Sequence, residues 1–304
     1  MTALEPIRGE VATSHANPSD FAATTFLLRF SNEQTRRGYS LSLRQWFTWC
    51  RGHGIEPIDA TRVHIEVWQR ELEQWGRKGS TINSKLNALA GFYRYAVIDD
   101  LLERDPMVHV TRPKVPYEST TNGLTRAELH SILEAALLSS PRDHALVCVL
   151  GFNGLRISEA LNIDIEHIGN ERGYGTVRII RRKSGRAAVI PLAPRTAWAI
   201  DTYRAGRDTG PLFVTNSGAR LTASYANRVV KRLARDVGIT KRISNHSFRH
   251  TFVTLALDAD VPVRDVQNST GHADPRMVTY YDRARESLDR NATHRVAAFV
   301  QGMA

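Results

Sequence analysis

The sequence predicts a mainly α chain with a small β-sheet, an α+β protein of two domains, and three observations carry that reading. Apolar residues recur at helical spacing over the first 112 residues and over most of the second half. One stretch, 174–192, is rich in Val and Ile around a Lys-Ser-Gly turn. Between the halves runs the proline-stiffened segment Arg112-Pro113-Lys114-Val115-Pro116. A length of 304 residues fits two domains. The expected division is a flexible tail at 1–19, a helical domain at 20–112, a linker at 113–123 and a second domain at 124–304.

Ser31 with Gln34 makes a capping box that opens a helix running to about Arg51. Tyr39, Leu43, Trp46, Phe47 and Cys50 share one face of it, and Arg37, Arg44 and Arg51 recur every seven residues on another. A second helix is expected with Val63, Val67, Trp68, Leu72 and Trp75 inward. A third, capped by Ser80, carries Ile82, Leu86, Leu89, Tyr93 and Ala96 at near-ideal spacing. Asp105-Pro106 closes the helical block. Leu124 starts the second domain, with Thr125 and Glu128 as its capping box. Tyr174 to Arg181 and Ala187 to Leu192 read as a β-hairpin with glycine at the turn. Helices follow at Pro194–Ala205, Ser224–Val237, His246–Leu257 and Val263–Ser269. The tail from about Leu288 to Gln301 is amphipathic, with Leu288, Val296, Phe299 and Val300 as its apolar side.

Composition narrows the function. The chain is 42% apolar and 24% charged, with no apolar run long enough to span a membrane and no apolar signal core at the start. Cys50 and Cys148 lie far apart, each in an apolar stretch, which points to neither a disulfide framework nor a metal site and fits a reducing cytoplasm. The net charge of +10 is uneven: residues 1–112 hold 14 Lys+Arg against 13 Asp+Glu, residues 113–304 hold 27 against 18. A basic half suits a polyanion such as nucleic acid. The bland reading is codon bias, since 35 of the 41 basic residues are arginine. There is no His-Glu-x-x-His, no cysteine pair, no dense carboxylate cluster and no phosphate-cradling glycine loop, so no metal or cofactor is expected.

The second domain holds Gly154-Leu155-Arg156-Ile157-Ser158-Glu159, then Lys183 at the hairpin turn. His246-Ser247-Phe248-Arg249-His250 follows, then Gly271-His272, then Tyr280-Tyr281. In this order and spacing the constellation resembles the tyrosine recombinases, the phage integrase and Xer family, and the helical first domain resembles that family's core-site-binding domain. The resemblance implies a core-binding domain plus a catalytic domain, an enzyme that cleaves and rejoins DNA through a 3′-phosphotyrosine, and a catalytic set of Arg156, Lys183, His246, Arg249, His272 and Tyr281. The family's nucleophile stands nine residues after the Gly-His histidine, which selects Tyr281 and leaves Tyr280 to packing.

The chemistry asks for these residue types. Attack by a tyrosine oxygen on a phosphodiester loads negative charge on the non-bridging oxygens, which two arginines hold in forked bonds. A tyrosine is mostly neutral at pH 7 and wants a base, the role given to His246. Lys183 is the candidate acid for the leaving 5′ oxygen, and His272 a donor to the phosphate. A covalent ester keeps the bond energy, so neither ATP nor metal is needed. Each residue also has a plain reading: Arg156 as an ion pair with Glu159, Lys183 as a solvated hairpin tip, the His-x-x-Arg pair as helix surface, and His250 and Thr251 as structural. Arg37, Arg44, Arg51, Lys114, Arg181, Arg182 and Arg186 are expected DNA contacts, the last three to phosphates and the rest open between bases and phosphates, although any single arginine of the first domain also reads as a solvated face.

One departure from the family is Ser269-Thr270 ahead of Gly271, where an apolar residue is usual; a polar pair there is expected to loosen packing beneath His272. The resemblance further implies a homo-tetramer on paired duplexes through the C-terminal tail, whose alternative is packing on its own domain. It also implies an accessory directionality protein as a possible partner, a phage or mobile-element setting, and recognition of a short core site without a separate arm-binding domain. Three other readings stay open: a type IB topoisomerase, which would lack site preference; a non-enzymatic DNA-binding regulator on the same scaffold; and a basic interaction protein, which would bind DNA blind to sequence.

Overall fold

The computed structural model describes residues 17–115, 123–180 and 187–271, with Ala297 and Val300. Two compact units divide the chain, 1–116 and 117–304.

The first unit is built from α1 (Pro18–Leu28), α2 (Glu33–Gly52), α3 (Arg62–Gln74) and α4 (Gly79–Ile98). Helix α1 was not anticipated. Asn17 caps it through a 2.8 Å bond from the Ser19 N–H, and it buries Ala22, Ala23 and Phe26. Two of those three are alanines, which leave almost no apolar periodicity to read. The cap of α2 is Asn32 rather than Ser31: its side chain accepts from the N–H groups of Gln34 and Thr35. Ser80 is likewise not a cap; α4 begins one residue before it, after Lys78.

The expected inward face of α3 is corrected more substantially. Trp68 and Leu72 are buried, but Val63, Val67 and Trp75 are 54%, 45% and 61% exposed. The buried stripe is Ile65, Trp68, Gln69 and Leu72, at i, i+3, i+4 and i+7, so the valines sit on a different side of the helix. On α2 and α4 the expected inward residues do form the core, with Tyr39 half-buried at its edge. Two of its aromatics bring polar ends inside, and these satisfy one another. Trp46 Nε1 donates to Tyr93 Oη at 2.8 Å, and Tyr93 Oη donates to the Pro57 carbonyl at 2.7 Å.

The second unit opens as expected: Thr125 Oγ1 accepts from the Glu128 N–H at 3.1 Å while the Glu128 carboxylate accepts from the Thr125 N–H at 2.6 Å. Then follow α5 (Arg126–Ser139), α6 (Pro141–Asn153), α7 (Ile157–Leu161), β1 (Ile168–Glu171), β2 (Tyr174–Ile180), β3 (Ala187–Pro191), α8 (Pro194–Arg204), α9 (Ala223–Asp236), α10 (Asn245–Asp258) and α11 (Val263–Thr270). The sheet is antiparallel in the order β1-β2-β3, with β2 and β3 in register from Thr176↔Pro191 to Ile180↔Ala187. Strand β1 went unread because its turn is Arg172-Gly173, both residues at positive φ, where an Asn-Gly pair is the usual signal. Helix α6 runs through the middle of the core, every residue from Asp143 to Gly151 buried. Both cysteines are free and buried.

Candidate catalytic site

Helix α6 ends at Gly154, in the left-handed region at φ 56°, and an added Cβ there would fall 2.4 Å from the Phe252 ring. The chain must therefore turn sharply on glycine. Leu155 then drops into the core, and Arg156 stands in extended backbone immediately before α7. Glu159, its side chain 3% exposed, receives both the Arg156 backbone N–H and Nη1 at 2.9 Å. The ion pair and the catalytic reading are thus compatible: a buried carboxylate fixes the arginine at two points. Arg156 Nη2 extends towards the Gly271 carbonyl at 3.4 Å.

Helix α10 supplies the next two residues. Arg249 is only 2% exposed, and burying a guanidinium is costly unless it is hydrogen-bonded. Its Nη1 donates to the Gly154 carbonyl at 2.9 Å and its Nη2 to the Thr270 carbonyl at 2.7 Å. Three stretches distant in sequence, 154–156, 246–249 and 270–271, are therefore stitched together through two guanidinium groups. His246, on the first turn of α10, keeps part of its ring open to solvent. Loss of hydration, reinforced by the positive charges of Arg249 and Arg156, holds its pKa below the ordinary imidazole value. A ring whose neutral form is favoured beside two cations has the chemistry to accept a proton.

Helix α11 leads into this cluster and ends on Gly271 at φ 62°. The expected loosening beneath His272 falls on a residue outside the described ones, but at the Ser269-Thr270 pair itself the threonine is packed. Thr270 is 1% exposed, and its hydroxyl bonds back to the Val266 carbonyl at 2.7 Å, so the polar side chain is packed and satisfied. His272, Tyr280, Tyr281, Lys183, Arg181, Arg182 and Arg186 lie outside the described residues. The last four belong to the segment between Ile180 and Ala187, the pair that closes the β2–β3 ladder.

Sequence reasoning missed one surface near this cluster. The N-terminal end of α9 is bolted to α10: the Asn245 side chain donates to the Ala223 carbonyl at 3.1 Å, and the Asn245 N–H to Asn227 Oδ1 at 3.4 Å. From there Ser224, Arg228, Lys231 and Arg235 run outward along one exposed face at i, i+4, i+7 and i+11. The basic spacing is present in the sequence, beside the apolar stripe of Ala226, Val229, Val230 and Leu233 that the fold buries. In the other unit, the expected arginine stripe differs residue by residue. Arg37 pairs with Glu33 at 2.6 Å, and Arg51 holds both oxygens of Asp20 at 3.0 Å. Arg44 is exposed and has no ion-pair partner among the described residues, and Lys114 is exposed.

Known proteins resemble the chain along nearly its whole length. Residues 122–287 match the phage integrase family, and residues 21–99 match the phage integrase N-terminal SAM-like domain. The tyrosine recombinase XerD of Pseudomonas aeruginosa is 30% identical over 280 residues, covering 86% of this chain and 91% of that protein. A tyrosine recombinase of Pseudothermotoga lettingae is 26% identical over 257 residues, covering 84% and 88%. Among solved structures, XerH bound to palindromic difH substrate aligns with a TM-score of 0.71 at 20% identity, over 93% of this chain and 85% of that one. A lambda integrase tetramer bound to a Holliday junction aligns at 0.72 and 17%, over 89% and 78%. At those identities the structures speak for the fold.

Proposed function

The chain belongs to the phage integrase family and is a tyrosine site-specific recombinase, and from that premise we propose how its residues cut and rejoin DNA. The observation that carries the proposal is the convergence of Arg156 and Arg249 on the carbonyls of Gly271 and Thr270, just ahead of position 272, with both guanidinium groups acting on the charge of His246. Tyr281 Oη attacks the scissile phosphorus and passes its proton to His246. A bond forms between Oη and phosphorus, the bond from phosphorus to the 5′ oxygen breaks, and Lys183 gives that oxygen its proton. Arg156, Arg249 and His272 hold the non-bridging oxygens while their charge grows. The 3′-phosphotyrosine retains the ester's energy, so a 5′ hydroxyl of the partner strand reverses the step without ATP or metal.

DNA is the partner in this reading, as duplex with a short core site. Arg44, Lys114, Arg181, Arg182 and Arg186 are assigned to its phosphates, and Arg37 and Arg51 join them by exchanging exposed carboxylates for phosphates. The stripe of Arg228, Lys231 and Arg235 on α9 is assigned to phosphates as well. Assembly is as a homo-tetramer on paired sites through the C-terminal tail. A cavity of about 650 Å³ between α5, α6 and α10 supports this, floored by Leu129, Leu133, Phe152, Phe252, Leu255 and Ala256. It suits the apolar side of the tail, where Val300 is helical and 77% exposed. A cytoplasmic integrase of a phage or mobile element, working with a directionality partner, is the setting that fits; no helix among the described residues is long and apolar enough to cross a membrane.

The test uses nicked duplexes of randomised sequence in EDTA, from which cleavage frees a short fragment. Adducts resistant to SDS are collected, and both the attached peptide and the enriched DNA are sequenced. An adduct on Tyr281, absent from Tyr281→Phe and kept by Tyr280→Phe, is expected. An adduct on Tyr280 would overturn the nucleophile, and dependence on a divalent metal would overturn the mechanism.

A further inference from the structure

The place where the chain enters the second unit is fastened to the helix that carries His246 and Arg249. The Leu124 N–H donates to Thr251 Oγ1 at 2.7 Å, and that hydroxyl donates in turn to the Ser247 carbonyl at 2.8 Å. Thr251 is fully buried, and Leu124 is 4% exposed. One residue earlier, an added Cβ on Gly123 would fall 2.7 Å from His250 Nδ1. Thr251 thus holds the incoming chain at Leu124, while the neighbouring His250 leaves no room for a side chain at Gly123.

The geometry makes this grip consequential. On a helix, residues two apart point about 200° from each other, so Thr251 faces away from Arg249. Arg249 is held by two short bonds to main-chain carbonyls at 2.9 and 2.7 Å, contacts that fail if α10 rotates or shifts by much more than half an ångström. A buried N–H that lost its acceptor would draw the helix or the chain towards some other partner. The family reading leaves Thr251 as packing, but a valine of the same shape would pack as well.

We propose that Thr251 is a positioning residue for strand cleavage: its hydroxyl, clamped between the Ser247 carbonyl and the Leu124 N–H, sets the rotation and depth of α10 and so places His246 and Arg249 against the phosphate. The catalytic half of this statement rests on the function proposed above; the placement of α10 does not.

The experiment compares Thr251→Val, which keeps the shape and deletes the hydroxyl, with Thr251→Ser, which restores it. For each full-length variant, adduct formation at saturating nicked DNA, DNA affinity, and the titration of His246 by histidine NMR are measured. The His246 resonance is assigned by its loss in His246→Asn. Thr251→Val is expected to bind DNA within about twofold of the parent, to form adduct at least tenfold more slowly, and to shift the His246 titration. Thr251→Ser should recover most of the rate. An unchanged His246 titration in a folded Thr251→Val overturns the proposal, whether or not the protein cuts DNA. Loss of adduct that serine does not restore overturns it too. Should Thr251→Val fail to fold, Gly123→Ala attacks the same clamp from the incoming chain and is read the same way. Absence of adduct from the parent, with the His246 titration moved by Thr251→Val, would sink the catalytic reading and leave the positioning intact.

Discussion

The two arginines do different jobs, and substitution should separate them. Arg156 is partly exposed and tied to Glu159, whereas Arg249 is buried between two main-chain carbonyls. Arg156→Lys is expected to slow adduct formation by about 10²–10³-fold, the cost of a lost transition-state donor, with little change in melting temperature. Arg249→Lys should lose a similar factor in rate and also melt several degrees lower, because a single ammonium cannot reach both carbonyls and a stranded one costs about 1–3 kcal/mol. Equal melting temperatures for the two variants would contradict this division. Gly154→Ala should also destabilise, by about 1–3 kcal/mol, since it forces alanine into the left-handed region against Phe252; thermal unfolding checks it. For His246, burial and the charges of Arg249 and Arg156 lower the pKa, so the ring keeps its neutral form to a lower pH than an ordinary imidazole. The acid limb of the cleavage rate should fall below the ordinary imidazole value of about 6.5, and a break above pH 7 would argue for another base. These residues were legible because their order and spacing along the chain resemble the motif of a known family, and their types suit the chemistry. The ion pair of Arg156 with Glu159 was legible from their spacing too; the main-chain partners of Arg249 were not, since backbone carbonyls carry no residue identity.

At the scale of elements, periodicity told which segments are helices better than which way they face. α3 offered two apolar stripes, and the one chosen included Val63, Val67 and Trp75, which the fold leaves outside. Sequence spacing cannot rank two stripes on one helix; only the neighbours that cover one of them can. The hairpin was read from β-branched residues and a glycine, while β1 hid behind an arginine at its turn. On α9 the stripe of Arg228, Lys231 and Arg235 makes a quantitative claim. If Lys231 meets a phosphate, Lys231→Glu should weaken binding at all sequences and lower the slope of log affinity against log salt by about 1 or more. A change confined to one DNA sequence would instead mark a base contact, and no change would remove α9 from the interface.

Across the whole molecule, acid sensitivity follows from three histidines of the second unit. His144, His246 and His250 all have pKa values lowered chiefly by burial, with nearby charges adding to each: Arg195 for His144, Arg249 and Arg156 for His246, and His246 for His250. The unfolded chain takes up these protons more readily than the folded one, so stability is fully present above about pH 6.5 and is lost as pH falls through the window beneath it. Melting temperature should therefore drop between pH 7.5 and 5.5, and a flat profile would show that the three rings are better hydrated than the fold implies. The arrangement around Arg249 also bears on how such a protein changes over time. Its two anchors at positions 154 and 270 are carbonyls, which every amino acid possesses, so drift of the side chain at 270 leaves the anchor in place. A threonine can stand at 270 without disturbing the cation beside it. The cluster is insulated from part of the mutational noise around it, and selection needs to guard the path of the backbone there more than the letters that spell it.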